Sequence, residues 1–84
     1  MTTYIIVNFE KKWHDKCPYI VRSLIKTKAT PRRLPASVQR AKAWAETQIV
    51  KETDGKPYTL RLKSIQVDDG YSVRTFYTNE KETK

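Results

Sequence analysis

Residues 27–53 read TKATPRRLPASVQRAKAWAETQIVKET, and this run decides the fold. Pro35 stands where proline favours the first turn of a helix, because its missing N–H costs nothing there. At about 100° per residue, Leu34, Val38, Ala41, Ala45 and Ile49 fall on one narrow stripe, while Arg40, Ala43, Thr47 and Lys51 point away. The spacing predicts a helix over about residues 35–53, stopped by Asp54, Gly55 and Pro57. Two alanines in the stripe let the helix lie close to a sheet, and Trp44 falls at the stripe's edge, placed to cover the sheet margin.

Strand patterns flank that helix on both sides. Residues 4–9 (YIIVNF) are mostly β-branched or aromatic, with Ile5, Val7 and Phe9 on one side and Tyr4, Ile6 and Asn8 on the other, which suggests an inner strand. Residues 10–17 are too polar to continue it. A second strand begins near Pro18 and runs over 19–26, its burial side open, and a polar loop with Pro31 leads to the helix. Beyond the helix, residues 58–67 and 71–78 form a hairpin around Asp68, Asp69 and Gly70, the composition of a three-residue loop with glycine in the left-handed position. That loop pairs Val67 with Tyr71, Ile65 with Val73, Lys63 with Thr75 and Arg61 with Tyr77, and sets Leu62 against Phe76 on the reverse face. A two-residue loop would instead pair Ile65 with Arg74; the longer loop is preferred because it matches apolar residues with one another. In this register Tyr58, Leu60, Leu62 and Phe76 face the helix, while Arg61, Lys63 and Tyr77, with Ile65, Val67, Tyr71 and Val73 nearer the turn, share the uncovered side. The fold class is α+β: a β-β-α-β-β chain forming a four-stranded antiparallel sheet with one helix packed on one face. Residues 1–78 make a single domain, and residues 79–84 read as a charged, disordered tail.

Charge is distributed unevenly along this layout. Residues 16–45 contain Lys16, Arg22, Lys26, Lys28, Arg32, Arg33, Arg40 and Lys42 and not one acid, so the whole formal charge of +8 sits in this block. So localised a charge points to an anionic partner. The loop Lys26, Lys28, Arg32, Arg33 runs into a helix N-terminus, where backbone N–H groups and the helix dipole favour phosphate, and Arg40 follows a turn later. The competing reading is a solvated basic loop; the complete absence of acids tells against it. On the uncovered sheet side, Arg61, Lys63 and Tyr77 interleave cations with an aromatic, the pattern of sheets that track a backbone and stack bases. The strip Ile65, Val67, Tyr71 and Val73 is more apolar than a solvated face tolerates and reads as a protein or dimer interface.

Catalytic chemistry has little to work with. An 84-residue chain buries roughly 60% to 65% of its unfolded surface, which leaves little room for an enclosed active site. His14, Asp15 and Cys17 include two ligand-type residues three apart, but zinc needs three or four ligands and the chain has no second His or Cys, so a polar turn is the better reading. No metal or cofactor is expected, and Cys17 and His14 lack an orienting scaffold for nucleophilic catalysis. A single Cys forbids an intrachain disulfide, and with no long apolar run the chain reads as soluble and intracellular, with no membrane partner.

The helix string Ala41, Lys42, Ala43, Trp44, Ala45, Glu46 after two strands resembles the sheet-plus-helix arm-binding domains of phage-type tyrosine recombinases, over barely a tenth of the chain and with two further strands following here. In size, basicity and layout the chain is more similar to small phage-encoded counter-defence proteins, among them anti-CRISPR proteins and RNA-binding inhibitors of toxin ribonucleases. Together these readings predict a non-enzymatic nucleic-acid-binding protein, an inhibitor or accessory factor of a phage or mobile element. Its rivals are an inhibitor that docks the basic block on a host nuclease or defence complex, with or without bound RNA, and a structural homo-oligomer or homodimer joined through its sheets.

Overall fold

The computed structural model describes residues 2–28 and 30–79. Its elements are β1 (Thr3–Trp13), β2 (Tyr19–Thr27), α1 (Leu34–Thr53), β3 (Tyr58–Asp68) and β4 (Val73–Thr78). The strands form one antiparallel sheet in the order β2-β1-β3-β4, with α1 lying over β3 and the neighbouring β1. The expected α+β layout is therefore the observed one.

The helix stripe does what its spacing dictates. Leu34, Val38, Ala41 and Ala45 are buried and Ile49 packs against them, on a floor made by Ile5, Val7 and Phe9 of β1 and by Leu62, Ile65 and Val67 of β3. The helix stops at Asp54, whose extended backbone breaks the helical run, and Gly55 follows with a φ of 73°, a conformation glycine adopts without strain. Strand β1 continues four residues beyond the expected Phe9, through Trp13. Its polar end is held from both sides: Lys11 pairs with Tyr19 of β2 and Leu60 of β3, and its ammonium lies 4.1 Å from the centre of the Tyr58 ring.

Two bulges overturn part of the expected pairing. Between β1 and β3, Asn8 pairs with Ser64 but Phe9 pairs with Leu62, so Lys63 is the extra residue. The switch puts Leu60 and Leu62 on the helix side before the bulge and Ile65 and Val67 on the same side after it. Ile65 and Val67, expected on the uncovered face as a protein interface, are 0% and 1% exposed in the core. Between β3 and β4, Ile65 pairs with Tyr77 and Gln66 with Thr75, leaving Phe76 as the extra residue. Phe76 packs on the core as expected, but Tyr77 joins it instead of facing away.

The hairpin loop is longer than three residues. Its last strand pair is Asp68 with Val73, not Val67 with Tyr71. One carboxylate oxygen of Asp69 accepts the backbone N–H groups of Tyr71 at 2.8 Å and Ser72 at 2.9 Å, while Asp68 accepts that of Gly70 at 2.9 Å. Asp69 thus closes a loop that backbone turn geometry alone would have made tighter. At the other end of the hairpin, Asn79 donates its backbone N–H to the Lys63 carbonyl and its side-chain amide to the Leu62 carbonyl. The first residue of the expected tail is therefore tied to β3, and residues 80–84 lie outside the described residues.

Candidate nucleic-acid interface

Because α1 sits over β3 and β1, the helix-side face of the edge strand β2 stays uncovered. A groove runs along it, walled by β2 on one side and on the other by the helix flank that Ser37, Ala41, Trp44, Gln48 and Glu52 share at helical spacing. The groove has three parts. At the helix start a cavity of 480 Å³ is lined by Thr27, Lys28, Arg33, Ala36, Ser37 and Arg40. Next to it, sharing Thr27, Ser37 and Arg40, a cavity of 450 Å³ is lined also by Ile5, Ile25, Lys26, Ala41 and Trp44. Beyond Trp44 a narrower part of 170 Å³ includes Phe9, Lys11, Val21, Gln48 and Glu52.

The electrostatics of these parts differ. Among the described residues, neither of the first two is lined by an acid, and an acid enters only at the far end, as Glu52. Lys28, Arg33 and Arg40 converge on the first cavity, joined at its border by Lys26, whose side chain strand alternation assigns to the opposite face beside Tyr4. The first turn of α1 carries no acidic residue to neutralise them. Backbone donors contribute less than expected. The N–H groups of Arg33 and Leu34 both donate to the Thr30 carbonyl, at 2.9 and 3.0 Å, and Pro35 has none to offer. Anion attraction at this helix start rests on side chains and the helix dipole.

The structure divides the expected binding residues into two groups. Lys28, Arg33 and Arg40 come together at the groove, Lys26 only borders it with its side chain on the opposite sheet face, and Arg32 is exposed beside it and lines neither cavity. Arg61, Lys63 and Tyr77 do not form a sheet platform. Arg61 lies on the uncovered face but is paired with Glu10 at 2.8 Å, Lys63 occupies the bulge, and Tyr77 lies on the helix side with the Lys42 ammonium 4.6 Å from its ring centre. Of the expected interface strip, Tyr71, in the loop, and Val73 are exposed, but Ile65 and Val67 are in the core. What sequence reasoning missed is the middle of the groove: Ser37 and Trp44 belong to a helix flank whose spacing was visible, but no apolar pattern marked it as a wall.

The uncovered sheet face has its own polar centre. Asn8, 5% exposed, donates from Nδ2 to Ser64 Oγ and Gln66 Oε1, both at 3.0 Å, while its Oδ1 has no partner among the described residues. Around it Ile20 and Leu24 of β2 stand exposed, Leu24 at 64%. Cys17 and His14 are exposed at the β1–β2 turn, and among the described residues no three His, Cys, Asp or Glu groups converge on a metal-sized site. The Asp69 carboxyl is held below the ordinary carboxylate value by the N–H groups of Ser72 and Tyr71, helped by the nearby Arg74 charge.

No family model, curated protein or solved structure matches the chain. Among the described residues, no helix is long and apolar enough to cross a membrane.

Proposed function

We propose that the protein binds nucleic acid without catalysing a reaction, holding the phosphate backbone at the cationic end of the groove between β2 and α1. The observation that carries this reading is the convergence of Lys28, Arg33 and Arg40 on one acid-free cavity at a helix start. Three cations held this close repel one another, and a phosphate relieves that repulsion while taking charge-assisted hydrogen bonds from both guanidinium groups. Such a protein acts by occupying its target, as an inhibitor or accessory factor of a phage or mobile element, in keeping with the small counter-defence proteins it resembles. The test is fluorescence anisotropy with labelled single- and double-stranded RNA and DNA over a range of salt. Binding that weakens steeply with salt supports the reading, and a flat response sinks it.

A second reading is favoured by a different observation. Strand β2 is a nine-residue edge strand that pairs with β1 in unbroken register and leaves Ile20, Val21 and Leu24 exposed. Such an edge offers unpaired backbone groups to another strand, either of a partner protein or of a second copy. Arg22 and Lys26 are its only charges, and both lie on the sheet face away from the helix, with Leu24. A mass measured in solution separates these cases: a dimer that Leu24→Lys converts to a monomer identifies the edge as a self-association surface.

A further inference from the structure

The geometry points to a base-binding pocket in the middle of the groove, in which Trp44 stacks an unpaired nucleobase while Arg40 and Arg33 hold the adjoining phosphate; the ligand class is single-stranded nucleic acid. This assignment rests on the proposed nucleic-acid binding and adds strandedness to it. Trp44 is 40% exposed, an unusual position for one of the two largest apolar side chains of a domain with so small a core. Its ring is steadied from below by Phe9, with centroids 6.4 Å apart and planes tilted by 59°, so the ring does not have to be ordered by the ligand.

The cavity that exposes the ring has the size and character of a nucleotide site. It is an open cleft of 450 Å³, within the range of small-ligand pockets, and the aliphatic residues Ile5, Ile25 and Ala41 line it together with the hydroxyl-bearing Thr27 and Ser37. Arg40 lines this cavity and the cationic one beside it, so a base on Trp44 and its phosphate between Arg33 and Arg40 occupy two parts of one continuous groove. Charge complementarity selects this occupant over an apolar peptide, because among the described residues the mouth of the pocket is bounded by cations and by no acid. The interior of a duplex is excluded by the same geometry: its stacked base pairs show only their edges, whereas stacking on Trp44 needs a free π-face.

The experiment places Trp13→Phe in the full chain, leaving Trp44 as the only indole, and titrates it with single-stranded oligonucleotides and with the blunt duplex of the same sequence. Single strands quench the Trp44 emission and the duplex does not. In anisotropy, Trp44→Ala weakens single-strand binding by about 5- to 150-fold, the range of one lost base stack, and Trp44→Phe, which keeps a ring, restores most of it. Circular dichroism on both variants confirms that they fold; should Trp44→Ala unfold, the quenching and Trp44→Phe decide alone. Unmoved indole emission on a bound single strand, or equal affinity in Trp44→Ala and the parent, overturns the pocket but not the phosphate site. So does an indole already shielded by a second copy before any oligonucleotide is added. Failure of both single strands and duplexes to bind overturns the pocket together with the reading beneath it.

Discussion

Removing Arg33 and Arg40 together should change the salt dependence of binding more than it changes the fold. Both side chains are exposed and line the 480 Å³ cavity, so Arg33→Ala with Arg40→Ala deletes two of its three cations without touching the core. With all three engaged, log affinity for a single strand falls against log salt with a slope of about −2, since each neutralised phosphate contributes about 0.7. Raising salt from about 50 to 200 mM then weakens binding about 20-fold. The double variant keeps Lys28 alone, for a slope of about −0.7 and a loss of about 3-fold over the same interval. The matched control is Arg32→Ala with Lys56→Ala, which removes the same net charge from exposed positions outside both cavities. Its slope should stay near −2. Anisotropy at a series of salt concentrations measures all three proteins. If the two double variants give the same slope, binding follows net charge and not this groove, and the site assignment is wrong.

Other consequences concern the frame that holds the groove. Ile65→Ala opens a cavity in the core and should cost about 2 to 5 kcal/mol, a large share of the roughly 4 to 13 kcal/mol expected for a chain of this length, whereas Leu24→Ala on the uncovered face should cost under about 0.5 kcal/mol; urea unfolding of both tests the bulged register, and equal midpoints would refute it. Asn8→Val deletes the two hydrogen bonds from Nδ2 to Ser64 and Gln66 together with a buried oxygen that has no partner among the described residues, so stability should fall, by about 1 to 3 kcal/mol; unchanged or raised stability would show that the unpartnered oxygen costs as much as both bonds contribute. The depressed Asp69 pKa means that the carboxylate's contribution to the hairpin is complete above its unfolded-state value and is lost as pH falls through the lower, folded one. Asp69→Asn should therefore flatten the acid limb of the melting temperature against pH, and an unchanged acid limb would argue that the loop forms without that charge.

The helix and the order of elements were legible because their signals are local. The stripe from Leu34 to Ile49 needs only a constant helical step to be placed, and Pro35 and Gly55 mark its ends by backbone constraint. The acid-free block was legible as composition, and three of its eight cations, Lys28, Arg33 and Arg40, line one cavity. Which of them converge was not legible: Lys28 precedes the helix and Arg40 lies in its second turn, yet both reach one cavity because β2 ends where α1 begins. Arg32, adjacent in sequence to Arg33, falls outside.

The hairpin was misread for a reason that magnitudes make clear. In β3 the apolar residues Leu60, Leu62, Ile65 and Val67 change parity between Leu62 and Ile65. A regular strand then sends two of them to each face, and the face without a helix leaves Ile65 and Val67 in water. A bulge at Lys63 disturbs the ladder at one point, at a cost of about one net hydrogen bond, or 0.5 to 1.5 kcal/mol. It buries both residues, each worth about 1.5 to 3 kcal/mol, so the bulge wins. A parity switch of apolar residues within one strand is therefore a sequence signal for a bulge wherever only one sheet face is covered. The register error also carried the functional misreading. Once Ile65 turns inward its partner Tyr77 turns with it, and the uncovered face keeps Arg61, already neutralised by Glu10, with no aromatic platform beside it. The aromatic surface able to stack a base is then on the other side of the sheet, at Trp44, next to the cations that the acid-free block supplies.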